Sequence, residues 1–191
     1  GQTIALENLE QRIYMMTEEQ KLPKLCQMLT DMNPYLAIVF CNTKEWTSLL
    51  AGKLIAKGFN IGELHGDMSQ SRRNQVLRDF AKAKTQILVA TDIAARGIDI
   101  EGITHVFNFD VPHDVDYYIH RIGRTGRAGS EGLSIMFATA ADENWVRRIE
   151  HNIHATITKY TLTGQVKVKA SSRPPKKKKT YKDKLPASTY Q

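Results

Sequence analysis

Between His120 and Gly129 the chain reads HRIGRTGRAG, with arginines at 121, 124 and 127 and glycines at 123, 126 and 129. Guanidinium groups are planar, always charged and shaped to meet phosphate oxygens in pairs. They suit the spread charge of a phosphoryl-transfer transition state. Glycines in the same stretch let a polyphosphate come close to the backbone. Tyr117, Tyr118 and Ile119 stand just before it, spaced to hold a helix against a core. On a helix running into its last turn, the arginines would fan along one side. A generic R-x-x-R is usually a solvated helix end; this density of arginine and glycine behind an aromatic helix is not generic.

Other residues could bind phosphate or ribose. Asp99, in Arg96-Gly97-Ile98-Asp99, falls in a turn just beyond a strand. A carboxylate there can accept hydrogen bonds from ribose hydroxyls; taken alone, it reads as a turn-capping aspartate. Thr91 and Asp92 end a strand, Asn42 and Thr43 begin a helix, and Gly66 offers its backbone. Hydroxyl and N–H donors at helix N-termini suit phosphates. His151 and His154 have a ligand-like spacing, but no acid or thiol converges on them in sequence, so no metal site is expected. Ser134 has no nucleophile context. Neither G-x-x-x-x-G-K-[ST] nor D-E-A-D occurs.

These residues need a scaffold, and the hydrophobic pattern supplies one. Continuous apolar runs at 35–40, 86–92, 105–110 and 132–139 read as strands buried on both faces. Residues 9–16 read as an entry strand, and FNIGELHG as a short one leading into a turn. Helical patterns fall between them. Pro23 is expected in the first turn of a helix ending near Asp31. Thr43 caps a helix that places Trp46, Leu49, Leu50, Leu54 and Ile55 on one inward face. Ser69 caps another with Val76, Leu77 and Phe80 inward. Two more are expected at about 114–123 and 141–152. Strands alternating with helices predict an α/β fold, an open and mainly parallel sheet with helices on both faces. Loops after the strands then share one sheet edge, where such folds bind ligands.

Composition sets the limits. The chain has 191 residues, 41% hydrophobic and 25% charged, with net charge +7. From Lys159 onward there are ten Lys or Arg against Asp183 alone, or +9. The remainder carries 17 basic and 19 acidic residues, or −2, so bulk charge cannot hold nucleic acid to the globular part. Domain boundaries are expected at 1–163 for the folded unit and 164–191 for a flexible basic tail. The tail's functional reading is a sequence-blind grip on phosphates. Cys26 and Cys41 are too far apart for a C-x-x-C pair, which fits a reducing, cytoplasmic setting. No long apolar run suggests a membrane.

The segment at 120–129 resembles motif VI of the DEAD-box RNA helicases, His120 pointing to that branch where related groups usually carry Gln. IVFCNTK at 38–44, HGDMSQSRR at 65–73 and ATDIAARGIDI at 90–100 match further motifs in the same order. The chain is similar to the C-terminal RecA-like lobe of such an enzyme. The resemblance implies that Gly97 and Asp99 contribute to ATP, and that Arg124 and Arg127 act as arginine fingers on its γ-phosphate. It implies coupling roles for His120 and Arg121. RNA contacts are expected from Asn42, Thr43, Gly66, Thr91 and Asp92, with Gln70 and Arg73 as the Q-x-x-R pair. Mostly backbone contacts leave base sequence unread. ATP and Mg²⁺ are expected to be held mainly by an N-terminal lobe, without which this chain should not hydrolyse ATP.

Overall fold

The computed structural model describes residues 8–127 and 130–173. The chain runs β1 (Leu9–Met15), α1 (Glu18–Met32), β2 (Ala37–Cys41), α2 (Lys44–Ala56), β3 (Ile61–Leu64) and α3 (Gln70–Ala81). It continues through β4 (Ile87–Thr91), α4 (Asp92–Ala95), β5 (His105–Asn108), α5 (Val115–Ile122) and β6 (Gly132–Ala138). A 3₁₀ turn at Ala140–Asp142 leads into α6 (Glu143–Ile153), then β7 (Ala155–Thr156), β8 (Thr158–Tyr160), β9 (Val166–Val168) and β10 (Ser171–Ser172).

Eight strands form one sheet in the order β3-β4-β2-β5-β6-β1-β8-β9, and every pairing in it is parallel except β8 with β9. Alternation along β2 divides the core between the two faces. Ala37, Val39 and Cys41 pack with Leu25 and Leu29 of α1 and Leu54 of α2. Ile38 and Phe40 pack on the other side with Phe80 of α3 and Ala94 of α4. Farther along that second face, α5 and α6 set Tyr118, Ile122, Val146 and Ile149 against Ile13 and Met136. The α/β architecture with helices on both faces is therefore as the periodicity predicts, and the carboxyl ends of β2, β3, β4 and β5 share one edge.

Several local expectations are corrected. Helix α1 starts at Glu18, so Pro23 lies inside it rather than in its first turn. The Thr17 N–H donates to Gln20 Oε1 at 3.0 Å and starts the helix early, an end-closing interaction that outweighs the loss of one proline N–H. The inward face of α2 is narrower than predicted: Leu50 and Leu54 are buried, while Trp46, Leu49 and Ile55 are about half exposed. The expected boundary at 163 falls too early. Val166–Val168 pairs with β8 and Ser171–Ser172 with β7, continuing described structure to Arg173. Residues 174–191, which hold most of the expected tail, lie outside the described residues.

Candidate nucleotide and RNA site

Arg121 is the centre of the carboxyl edge. It lies in the last turn of α5 and is 1% exposed. Its Nε and one terminal nitrogen donate to the two oxygens of Asp92 at 2.6 and 2.7 Å. The same terminal nitrogen donates to Asn42 Oδ1 at 2.7 Å, and the other to the Asp110 carbonyl at 2.7 Å. The guanidinium also lies over the Phe40 ring, 5.3 Å from its centroid. One side chain thus ties the ends of β2, β4 and β5 together. A buried cation is tolerable only when so fully paired.

A second buried cation supports the first. Lys21 Nζ lies 3.0 Å from Glu18 and 3.6 Å from Asp110 Oδ1, while Asp110 Oδ2 accepts from the Asn42 N–H at 2.9 Å. Sequence reading missed Lys21, although a signal existed. It occupies the inward stripe with Leu25, Met28 and Leu29, where a lysine needs an acid to meet.

The other arginines behave differently. The helix ends at Ile122, so Arg124 and Arg127 leave it and the expected fan along one side does not form. Arg124 is half-buried and donates to the His120 carbonyl at 3.2 Å and to the Ile98 carbonyl. Burial and the like charge of Arg127 lower its pKa, while Asp99 acts the other way. Arg127 is exposed and pairs with Asp99 at 2.6 Å. Arg96, Gly97, His120, Arg124 and Arg127 line a cleft of ≈ 420 Å³ floored by Phe40 and Asp92.

Glycine backbone shapes this cleft. Gly97 has φ +77 and Gly126 φ +68, both in the left-handed region where a side chain adds strain. Gly132, at the start of β6, is crowded rather than twisted. A Cβ there would lie 2.4 Å from Gly126 N and 2.6 Å from Thr125 Oγ1. It too escaped the sequence reading, since its close approach to Thr125 and Gly126 leaves no mark on the residue pattern. Ala128 and Gly129, the end of the arginine motif, lie outside the described residues.

The expected RNA residues follow the same edge. Thr43 caps α2, its Oγ1 accepting from Trp46 N at 3.2 Å, and Thr91 caps α4, accepting from Ala94 N at 3.4 Å. Gly66 is exposed, and no atom lies within 4 Å of a Cβ built on it. Gln70 and Arg73 stand in the first turn of α3, Gln70 donating to Asn74 at 2.9 Å. Asn42 and Asp92 are placed here too, but their side chains are engaged by Arg121, and Asn42 Nδ2 donates to the Val111 carbonyl at 2.9 Å. These two build the edge; a carboxylate held as Asp92 is would repel a phosphate.

Among the described residues, no group of three or more His, Cys, Asp or Glu side chains could hold a metal ion. At the cleft the acids are Asp92, sealed by Arg121, and Asp99, paired with Arg127. Both carboxylates are engaged by arginines, and it is the arginines of the cleft that suit phosphates, with Asp99 able to accept from hydroxyls. No helix among the described residues is long and apolar enough to cross a membrane.

Residues 20–129 match the family described as the helicase conserved C-terminal domain. DEAD-box ATP-dependent RNA helicases CshA of Bacillus cereus and Bacillus subtilis are 42% and 44% identical over 147 residues, 77% of this chain. The chain belongs to the DEAD-box helicases, as a C-terminal RecA-like domain. It spans 28% and 30% of the length of those two relatives. The DEAD-box protein SrmB of E. coli, solved with regulator of ribonuclease activity A, superposes with TM-score 0.76 at 36% identity, covering 86% of this chain and 98% of that one. Dbp5 of S. cerevisiae, solved with RNA and ADP BeF3, gives TM-score 0.73 at 32% identity, over 80% of this chain and 42% of that one. The DEAD-box fold thus carries the cleft and the strand-end edge side by side.

Proposed function

We propose that this domain is the second lobe of an ATP-dependent RNA helicase, supplying arginine fingers to a nucleotide held mainly, with its Mg²⁺, by an N-terminal lobe. The observation that carries the reading is Arg127, exposed at the mouth of the cleft and held by Asp99 alone among the described residues. An exposed ion pair of this kind contributes about 0–1 kcal/mol, so exchanging Asp99 for a phosphate costs little. Arg124, fixed by two carbonyls, presents its charge without rearrangement. Asp99 and Gly97 would face the ribose and the adjoining backbone of ATP. Thr43, Gly66, Gln70, Arg73 and Thr91 would take the RNA backbone, with Asn42 and Asp92 shaping the edge beneath them. His120, exposed on the helix that buries Arg121, and Arg121 itself would link the two sites through β2 and β4.

Closure of the two lobes around ATP and RNA would complete the catalytic arrangement, strain a bound duplex and release a strand; hydrolysis would reopen it. The 191-residue chain alone should show no hydrolysis. Joined to a matching first lobe, it should show RNA-stimulated ATPase. Arg127→Ala in that joined enzyme should lower kcat by about 10³-fold or more while nucleotide binding, followed by fluorescent ATP titration, is largely kept. Normal turnover by the variant would remove Arg127 from this role.

A further inference from the structure

The outer face of α6 gathers positive charge that neither the cleft nor the strand ends use. Val146, Ile149 and Glu150 of α6 turn inward, and Arg147, Arg148, His151 and Asn152 turn outward. The helix's second acid is withdrawn from that face. Glu150 is 6% exposed and accepts from Ile157 N at 2.7 Å and Lys159 Nζ at 2.8 Å.

The chain then returns to the same place. His154 reverses it at φ +55, and β10 pairs antiparallel with β7, Ser171 opposite Thr156 and Ser172 opposite Ala155. Arg173 N donates to the His154 carbonyl at 2.7 Å, which seats Arg173 beside the last turn of α6. Arg147, Arg148, His151, Asn152 and Arg173, with Val115, line one concavity of ≈ 520 Å³. Arg148 lies over the Trp145 ring at 4.8 Å, itself stacked on His113 at 4.5 Å, so its guanidinium rests on a packed base. Arg147 pairs with Glu143 at 2.5 Å, both 66% exposed, a contact weak enough to yield to another anion. Among the described residues, neither Arg148 nor Arg173 pairs with a carboxylate.

A helix face with arginines is often only solvated. Here the charge comes from two distant segments, surrounds a hollow with no acid in its lining, and belongs to a domain whose first 158 residues carry a net −2. We propose that this concavity binds the phosphodiester backbone of RNA, as a second contact separate from the motif-bearing edge; this rests on RNA being the domain's substrate.

The geometry suits a flanking segment of the same strand. Helix α6 packs over β6 and β1, whereas the expected RNA residues stand on β2, β3 and β4. At about 4.8 Å per strand, β6 lies two spacings from β2 and four from β3, roughly 10 to 19 Å across the sheet. In the sequence Arg173 is followed directly by Pro174, Pro175 and Lys176 to Lys179.

The test is binding of labelled oligouridylate to the 191-residue chain over a range of salt, with the lysine run intact throughout. Arg148→Gln with Arg173→Gln should weaken binding roughly tenfold and make the slope of log K against log salt shallower by about 1.4, two phosphates at about 0.7 each. Arg148→Lys with Arg173→Lys should keep most of the slope, separating charge from packing. An unchanged affinity and slope in the glutamine pair overturns the proposal and leaves a solvated or protein-facing helix. Absence of binding by the parent chain at low salt overturns it as well, because the hollow needs no first lobe. Gln70→Ala with Arg73→Ala reads the strand-end surface independently. Loss there alone keeps the functional reading and removes this one; loss only in the α6 pair does the reverse for the strand-end assignment.

Discussion

Arg121 and Arg127 come from one motif, two helical turns apart at most, and have opposite fates. Arg121 is sealed under the sheet edge with four hydrogen bonds to three strand ends. Arg127 is 45% exposed and held by one ion pair. The difference lies in where α5 ends. Position 121 still follows Tyr118 and Ile122 on the inward side of the helix, whereas position 127 is beyond Gly123 and Gly126, where the backbone has turned. Sequence spacing makes the two look equivalent; the helix terminus divides them into a builder and a group free to act.

Paired substitutions should pull these roles apart. Removing Arg127 should act on turnover by the largest factor, as described for the joined enzyme, and leave the thermal midpoint of the isolated domain nearly unchanged. Arg121→Ala should do the opposite first. It leaves the Asp92 carboxylate buried without its partner, a loss of about 3–5 kcal/mol. At roughly 2–4 °C per kcal/mol for a domain of this size, the midpoint should fall by about 10 °C. A scanning-calorimetry midpoint within a degree of the parent would mean that Arg121 does not hold the edge together.

Gly132 sharpens the comparison from the scaffold's side. Strand β6 is paired with β1 and β5 and cannot retreat, so a Cβ at 132 must displace the turn at Gly126. Gly132→Ala should cost about 1–3 kcal/mol of stability by overpacking. Its effect on kcat in the joined enzyme should be greater, about 10²-fold, because the turn carries Arg124 and Arg127 and misplacement of about 1 Å is that costly. Stability loss with kcat intact would show that the fingers tolerate a moved turn.

The legible parts of the molecule were those whose physics is local. Strands β2, β4 and β6 stand out as apolar runs because both their faces are covered, and Thr43 and Ser69 announce helix starts; Thr91 read only as a strand end, and the four-residue α4 it caps is too short to leave a pattern. The fate of Arg121 was not legible, because it depends on Asn42, Asp92 and Asp110 arriving from three strands. The inward face of α2 was read too broadly because Trp46, Leu49 and Ile55 are apolar without being buried. Arg173 read as part of a tail because its tie to His154 runs through backbone atoms, which leave no mark on side-chain pattern.

The smallest effect tests what Asp99 is for. Its side chain is 79% exposed and its one described partner is Arg127. If it serves only as a counter-ion, Asp99→Asn should free Arg127 and leave the ATP KM of the joined enzyme unchanged. If it accepts from the ribose hydroxyls, the variant loses a charged hydrogen bond, worth a rise in KM of roughly tenfold. The nucleotide reading expects that rise, with kcat changed little, because the contact is made equally in ground state and transition state. It also expects 2′-deoxy ATP to lose most of its disadvantage in Asp99→Ala, which leaves the missing hydroxyl no acceptor to miss. A variant that still discriminates against the deoxynucleotide as the parent does would assign ribose recognition to another residue and leave Asp99 as the resting partner of Arg127.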